Sequence, residues 1–175
     1  IVTSGTPLIT AAKQVTTAIP IVFTAAGDPV GSGLVASLAR PGGNVTGLSV
    51  LSTDLAGKRL DLLRQLDPGL RRVAIMGNVG NPVIVQELSE YQAAARVLGL
   101  HVITSEIRRV PDIALAIDAL KGDADALYVC QDLLTLTNRV RINTLALCVR
   151  LPAMHASRET VADAGRLLSY GPNFL

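Results

Sequence analysis

The feature that most constrains the fold is the alternation of short apolar runs with longer segments of helical periodicity. Residues 19–24 and 72–76 are continuous apolar runs bounded by turn residues, which is typical of buried strands. After Pro82, apolar side chains recur at steps of three and four, which is typical of an amphipathic helix. Strands that alternate with helices form parallel sheets through right-handed crossovers. We therefore predict an α/β fold with Rossmann-like parallel sheets.

The same alternation continues along most of the chain. Ser32 is placed to cap a helix, and Asp54 to cap another whose Leu62, Leu63 and Leu66 would face inward together with Leu55. The predicted strands are residues 19–24, 45–50, 72–76, 101–104, 126–130, 151–155 and 167–170. The predicted helices are residues 32–38, 55–66, 84–98, 112–121 and 138–149, and a further helix over 159–164 with Ser157 placed to cap it.

Composition excludes several classes of function. The net charge is only +2 and aromatic residues make up 3% of the chain, so neither a basic face nor stacking platforms for nucleic acid are expected. No apolar stretch reaches the length of a membrane span. Cys130 and Cys148 lie on different elements at a predicted separation too large for a disulfide, so we predict two buried free thiols.

In an open α/β sheet, ligands bind beyond the carboxyl ends of the strands, where loops lead into helix N-termini. Polar residues at these loops are our candidate ligand contacts. If the ligand is an amino acid, Asp28 or Asp132 would hold its ammonium group and the helix start at Asn81 its carboxylate. The same residue types also build ordinary turns and caps, which is the alternative interpretation. The candidates are Thr24, Asp28, Asn78, Asn81, Asp132 and His155.

Nothing in the sequence indicates catalysis. The glycine-rich segment 27–33 lacks the Lys-Ser/Thr ending of a phosphate-binding loop, and no nucleophile elbow is present. His101 and His155 have no further ligand at metal-binding spacing. Asp28 and Asp132 would suit a carboxylate pair, although nothing favours acid–base chemistry over hydrogen bonding. We expect no enzyme, no cofactor and no metal.

Four segments resemble one protein family. They are residues 19–24, residues 27–49 with the blocks Asp-Pro-Val-Gly and Ala-Arg-Pro-Gly-Gly-Asn-Val-Thr-Gly, residues 55–63, and residues 169–174. In these the chain is similar to the ABC-transporter substrate-binding proteins of the ABC_sub_bind type. The resemblance implies a type I periplasmic-binding fold, in which two lobes close on a ligand in the cleft between them.

The resemblance also implies a domain organisation. Residues 1–50 would form part of a first lobe, 51–69 a crossing and linking helix, 70–166 the second lobe, and 167–175 a strand returning toward the first lobe. Family members continue beyond both ends of this chain, so the first lobe is expected to be incomplete. Sheet edges and apolar faces would then be exposed, and a homodimer through first-lobe surfaces is expected to cover them.

The function that the resemblance implies is capture of a solute outside the cytoplasm. A periplasmic or membrane-associated extracellular protein would deliver a small polar or amino-acid-like ligand to an ABC permease. The alternative is the ligand-sensing domain of a sugar-repressor type transcription regulator, which has the same lobes behind a helix-turn-helix. A signal peptide or a helix-turn-helix upstream would discriminate the two.

Overall fold

The computed structural model describes residues 1–50, 52–158 and 168–171, and shows two separate parallel sheets. The first sheet has three strands in the order β1 (Val2–Thr3), β2 (Ile21–Ala26) and β3 (Val45–Ser49). Helix α1 (Thr6–Val15) connects β1 to β2. Both pairings are parallel, as the crossover through α1 requires.

The second sheet has five strands in the order β5-β4-β6-β7-β8, again all parallel. A short 3-10 turn (Ser52–Leu55) and helix α2 (Ala56–Leu66) lead into it from the first sheet. Its strands are β4 (Arg72–Asn78), β5 (His101–Ile107), β6 (Ala126–Val129), β7 (Ala153–His155) and β8 (Leu168–Ser169), and its helices are α3 (Pro82–Leu98), α4 (Asp112–Asp118), α5 (Leu133–Thr137) and α6 (Arg139–Cys148). The predicted α/β class with Rossmann-like parallel sheets is confirmed.

Both faces of the second sheet are buried. Along β4, Val73 and Ile75 point into a core shared with α2 and α3, while Ala74 and Met76 point into a core shared with α4 and α6. All four side chains are fully buried. Such a continuous apolar run is what a central parallel strand with two covered faces requires.

Among the residues that the structure describes, only one face of the first sheet is covered. Ile21 and Phe23 pack into a small core with Ile9 of α1 and residues of the loop that follows β2. The opposite face exposes Val2 at 75% and Leu48 at 70% of their surface. A parallel sheet of this kind is normally covered on both faces, so this apolar face is unusual.

The helix predicted for residues 32–38 is wrong. Residues 27–44 are all described and form turns and bends between β2 and β3. Asp28 accepts a hydrogen bond from the Gly31 amide, and Gly33 adopts a left-handed conformation with φ 68°. Lys13 of α1 then donates to the carbonyl of Gly33. Glycine is a poor helix former, so Gly31 and Gly33 disfavour a helix here, and the local hydrogen bonds stabilise turns instead.

The inward face predicted for α2 is also partly wrong. Leu63 is buried as expected, but Leu66 is 67% exposed, and the helix turns Arg59 and Leu60 into the core instead. Asp54 lies in the 3-10 turn before the helix and is not its N-cap residue, because that position is occupied by Leu55. The inward face differs from the predicted one because the buried side chain of Arg59 is part of it.

Two smaller predictions were also tested. Both cysteines are free, as predicted, but Cys148 is exposed at the end of α6 whereas Cys130 is buried. The short helix α5 lies in residues 133–137, for which the sequence patterns predict neither a helix nor a strand.

The described part of the tail lies in the second sheet. Strand β8 pairs with β7, and the Tyr170 amide donates to the carbonyl of His155. The return of the chain to the first lobe stays a prediction about residues beyond this pairing. The predicted capping of a helix over residues 159–164 lies outside the described residues.

Candidate ligand-binding site

Three predicted site residues meet at the carboxyl edge of the second sheet. Asn78 ends β4, Asn81 begins α3, and Asp132 follows β6. Asn78 Nδ2 donates to Asp132 Oδ1 at 2.9 Å, and Asn81 Nδ2 donates to Asp132 Oδ2 at 3.0 Å. The carboxylate thus joins two loops that are more than fifty residues apart in sequence. We call these three residues the edge cluster.

The edge cluster also caps two helices. Asn81 accepts a hydrogen bond from the Val83 amide at 3.2 Å, and its carbonyl accepts those of Ile84 and Val85. Asp132 accepts the Leu134 amide at 2.8 Å within a capping box. Because the first amides of α3 are already bonded, a ligand carboxylate would have to replace the Asn81 side chain to bind there.

Charge at this edge is not neutralised within the described structure. The partners of Asp132 are neutral amides and backbone N–H groups, and Asp28 likewise bonds the Gly31 amide and the Gln86 side chain. Neither carboxylate forms an ion pair among residues 1–50, 52–158 and 168–171. Both carboxylates therefore remain attractive to a cationic group.

Asp28 is placed where the two lobes meet. Its Oδ2 accepts a hydrogen bond from Gln86 Nε2 of α3 at 3.4 Å, so it links the first lobe to the second. Thr24 lies apart from this contact. It shares the exposed face of β2 with Val22, and the structure does not bring it to the edge cluster.

His155 is almost completely buried, with 2% of its surface exposed. Its Nε2 lies 2.7 Å from Asn143 Oδ1, and burial lowers the pKa of the imidazole to about 4. The ring lines a small cavity of about 10 Å³ together with Thr135 and Ser157, which is room for about one water molecule. A ligand contact at His155 stays a prediction that requires this cavity to open.

A larger groove lies beside the lobe junction, with a volume of about 430 Å³. That volume matches the usual size of small-molecule pockets. It does not coincide with the edge cluster, and it includes Asp28 as the one candidate site residue. Sequence reasoning missed Gln86, because no local pattern marks a helix residue that contacts a loop 58 positions away. The groove is lined by Asp28, Asp54, Ala56, Gly57, Gln86, Glu90, Ala93, Ala94 and Val97.

Two other features are absent from the residues that the structure describes. In that part of the chain, no group of three His, Cys, Asp or Glu side chains is arranged to hold a metal ion. None of its helices has the length and apolar character needed to cross a bilayer.

Comparison with known proteins agrees with this architecture. A curated tyrosine-binding protein from Clostridioides difficile (strain R20291) is 34% identical over 174 residues, covering 97% of this chain and 48% of the relative. The chain thus spans about half the length of that relative. Among solved structures, the ABC domain in complex with L-Trp from Streptococcus pneumonia superposes with a TM-score of 0.85 at 25% identity, covering 96% of this chain and 57% of the other.

A second solved structure represents a different state. The ligand-free, open structure of a substrate binding protein with adhesive properties from Clostridium difficile is 29% identical and has a TM-score of 0.60, covering 92% of this chain and 54% of the other. The family model described as ABC transporter substrate binding protein matches residues 1–174. With two parallel sheets, a polar cluster at the sheet edge and this match, the chain belongs to the ABC transporter substrate binding protein family.

Proposed function

We propose that the whole protein is the solute-binding component of an ABC importer and captures an amino acid with an aromatic side chain between its lobes. The observation that carries the proposal is the edge cluster, which lies at the carboxyl edge of the second sheet and contains a carboxylate held only by neutral groups. A binding protein needs fixed polar groups at such an edge and no catalytic group. Members of this family are substrate-binding proteins rather than enzymes.

The electrostatics favour a ligand with an ammonium group. Asp28 from the first lobe and Asp132 from the second each carry a negative charge without a cationic partner in the described structure. An ammonium group placed near either one gains a charge-assisted hydrogen bond. The remaining candidates, Thr24, Asn78 and His155, together with Asn81, are proposed as contacts that orient the ligand.

An aromatic side chain is favoured by two further observations. The relatives described above include a tyrosine-binding protein and a complex with L-Trp. In this chain, Leu133 follows Asp132 directly and is 65% exposed at the start of α5. An exposed leucine beside a polar cluster offers apolar contact to a ring while the carboxylate binds the amino group.

The lobe arrangement supports a closed state. At similar sequence identity, the chain superposes better on the complex with L-Trp than on the ligand-free, open structure, with TM-scores of 0.85 and 0.60. The contact between Asp28 and Gln86 is consistent with lobes that have approached each other. Closure helps function only if the ligand binds the closed form more tightly than the open form.

The test is a thermal-shift and calorimetry experiment with the full-length protein, L-tryptophan and L-tyrosine. A ligand at about 100 times its dissociation constant stabilises the folded state by about 2.7 kcal/mol. We expect Asp132→Asn to weaken binding by about ten- to hundredfold, because a hydrogen bond to a charged group is lost. The matched control is Asp118→Asn, an exposed carboxylate on α4 of the same lobe. Unchanged binding by Asp132→Asn would remove that residue from the site.

The cellular location of the whole protein and its delivery of ligand to a permease are implied by the family, and both belong to the same proposal. Proteins of this family are extracytoplasmic or membrane-anchored. We propose that the whole protein is periplasmic or held at the outer side of the membrane, where it passes the ligand to an ABC permease. Fractionation of cells that express the full-length protein, followed by ligand-dependent capture with its permease, tests both points.

We also propose that a second copy covers the exposed face of the first sheet in the 175-residue chain. Val2 and Leu48 on that face are 75% and 70% exposed, and Val22 between them is 43% exposed. Light scattering across a dilution series should show a dimer that Leu48→Thr weakens. Leu115→Thr, at a 73% exposed position on α4, serves as the control. A monomer at every concentration would contradict this proposal.

A further inference from the structure

A buried polar network lies between α2, α3 and β6. Arg59 is fully buried, and its Nη1 donates to Glu87 Oε1 at 3.1 Å and to the Tyr91 hydroxyl at 3.2 Å. The Tyr128 hydroxyl donates to the same carboxylate oxygen at 3.2 Å. The Tyr128 ring lies 5.2 Å from the guanidinium carbon, within cation–π range. The guanidinium of this α2 residue is thus held by two other elements, α3 and β6.

The network reaches the tail of the described chain. Arg59 Nε donates to the backbone carbonyl of Tyr170 at 2.9 Å, across 111 positions of sequence. Tyr170 directly follows β8, so this bond fixes the point at which the chain leaves the second sheet. A guanidinium has donors pointing in several directions, which allows one side chain to bind Glu87 and Tyr170 at once.

The position of Arg59 along the chain shows which two parts of the molecule this hydrogen bond connects. It lies in the first turn of α2, immediately after the segment 51–55 that links the two sheets. Tyr170 lies within the segment 167–175, which is predicted to return to the first lobe. One buried side chain therefore joins the start of the second lobe to its exit.

Close packing of the tail is an independent sign that its path is specified. A Cβ atom at Gly171 would collide with the backbone carbonyl oxygen of Ala156, so only glycine fits there. The backbone of the tail at Gly171 therefore packs directly against the backbone of Ala156, just after β7. Burying an ion pair is costly compared with apolar packing, so its presence beside this tail favours a role in positioning.

We propose that Arg59, held by Glu87 and Tyr91, is a positioning residue that fixes the tail at Tyr170 and thereby sets the relative orientation of the lobes for ligand closure. This inference rests on the proposed function and on the predicted return of the chain to the first lobe. Its local part, the anchoring of the tail, can be tested without any ligand.

The first experiment is amide hydrogen exchange on the 175-residue chain. Arg59→Met removes the donors but keeps much of the side-chain length, and we expect residues 168–171 to exchange about ten- to hundredfold faster. Strand β4 should change much less. Arg59→Lys should restore part of the protection. The control Arg72→Met removes an exposed arginine of the same sheet, paired with Asp125, and should leave the tail unchanged.

A milder variant keeps the test informative if Arg59→Met unfolds. Tyr91→Phe removes one acceptor of the guanidinium, so the tail should loosen by a smaller factor while the fold persists. Equal acceleration in the tail and in β4, for either variant, would mean general destabilisation and would overturn the proposal. An unchanged tail in both variants would overturn it as well.

The second experiment measures closure with L-tryptophan and the full-length protein. We expect Arg59→Lys to weaken L-tryptophan binding about tenfold while the contacts of the edge cluster remain. If the wild-type protein does not bind L-tryptophan or L-tyrosine, the proposed ligand class fails, whereas faster exchange of the tail in Arg59→Met still supports the anchor. If the wild type binds and Arg59→Lys binds equally well despite a loosened tail, the link to closure is overturned.

Discussion

The two sheets follow the same parallel design but bury their surfaces differently. In the second sheet, Ile75 and Met76 point to opposite faces and both are fully buried. In the first sheet, Ile21 is fully buried on one face, whereas Leu48 on the other is 70% exposed. The comparison shows that strand sequence alone does not bury a strand, since a face is buried only where another layer covers it.

The difference also indicates where the stability of this chain resides. The second sheet lies between two apolar clusters. The first sheet has a single small cluster of seven buried residues, one of which lies on helix α1. Each buried side chain adds transfer free energy in proportion to the area removed from water. We therefore expect the second lobe to unfold last and to dominate the measured free energy of unfolding.

The largest expected effect compares one position in each sheet. Ile75→Ala removes a fully buried side chain from the second sheet and should lower the free energy of unfolding by about 2–5 kcal/mol. Val22→Ala, at a position that is 43% exposed in a single chain, should lower it by well under that amount at a dilution where the proposed dimer has dissociated. Urea denaturation followed by circular dichroism measures both. Equal losses at the two positions would show that the open face is covered in solution.

The second prediction concerns pH and involves only the second lobe. Burial raises the pKa of the Glu87 carboxyl to about 7, although Arg59 and Tyr128 favour its charged form. Burial lowers the pKa of His155 to about 4. Stability contributed by Glu87 is present below its unfolded pKa and is lost as the pH rises through about 7. Stability contributed by neutral His155 is present above its unfolded pKa and is lost as the pH falls through about 4.

The two pH ranges overlap. The opposite contributions of Glu87 and His155 to the free energy of unfolding should therefore largely cancel in the wild type between about pH 4.5 and 6.5. Each shift corresponds to about 3 kcal/mol at full extent. Glu87→Gln should therefore gain stability as the pH rises over this range, and His155→Gln should lose it. Thermal unfolding at several pH values measures both slopes. Asp125 serves as a reference outside the window, since Arg72 lowers its pKa to about 2. Parallel slopes in both variants would contradict the assignment.

The smallest expected effect tests the first lobe. Lys13 Nζ donates to the carbonyls of Gly33 at 2.7 Å and Leu34 at 3.1 Å, and so ties the loop after β2 to α1. Lys13→Met should destabilise the first lobe by about 1 kcal/mol. Proteolysis of the native protein is the suitable measurement, because cleavage in residues 27–44 reports on this loop alone. Lys121→Met, at an exposed position beyond α4, is the control.

Local sequence patterns predicted the parallel fold and much of the edge cluster. Asn78 and Asp132 follow strands, and parallel strands end at one edge, so their meeting could be expected. The bonds between them and Asn81 required the structure, because cap geometry decides which amide faces which carboxylate. Gly99 follows α3 with a left-handed φ of 68°, which is typical of a glycine at the end of a helix.

Long-range partners explain what sequence reasoning could not find. In its local sequence, Arg59 resembles a surface residue. In the structure, Glu87, 28 positions away, and Tyr170, 111 positions away, supply acceptors for its buried guanidinium. His155 can be buried because its Nε2 donates a hydrogen bond to Asn143 Oδ1, 12 positions away. The turns in residues 32–38 likewise depend on Lys13 of another element. Propensity is a weak guide where such tertiary contacts decide.

The contrast between the two cysteines makes one position of the molecule chemically addressable. Burial raises the pKa of the Cys130 thiol and shields it, whereas Cys148 is exposed at the end of α6. A thiol-reactive dye should therefore attach to the native chain at Cys148 without any engineered cysteine. The label would lie on the second lobe, away from the edge cluster. A protein immobilised on a solid support through Cys148 would therefore keep its cleft accessible to solutes.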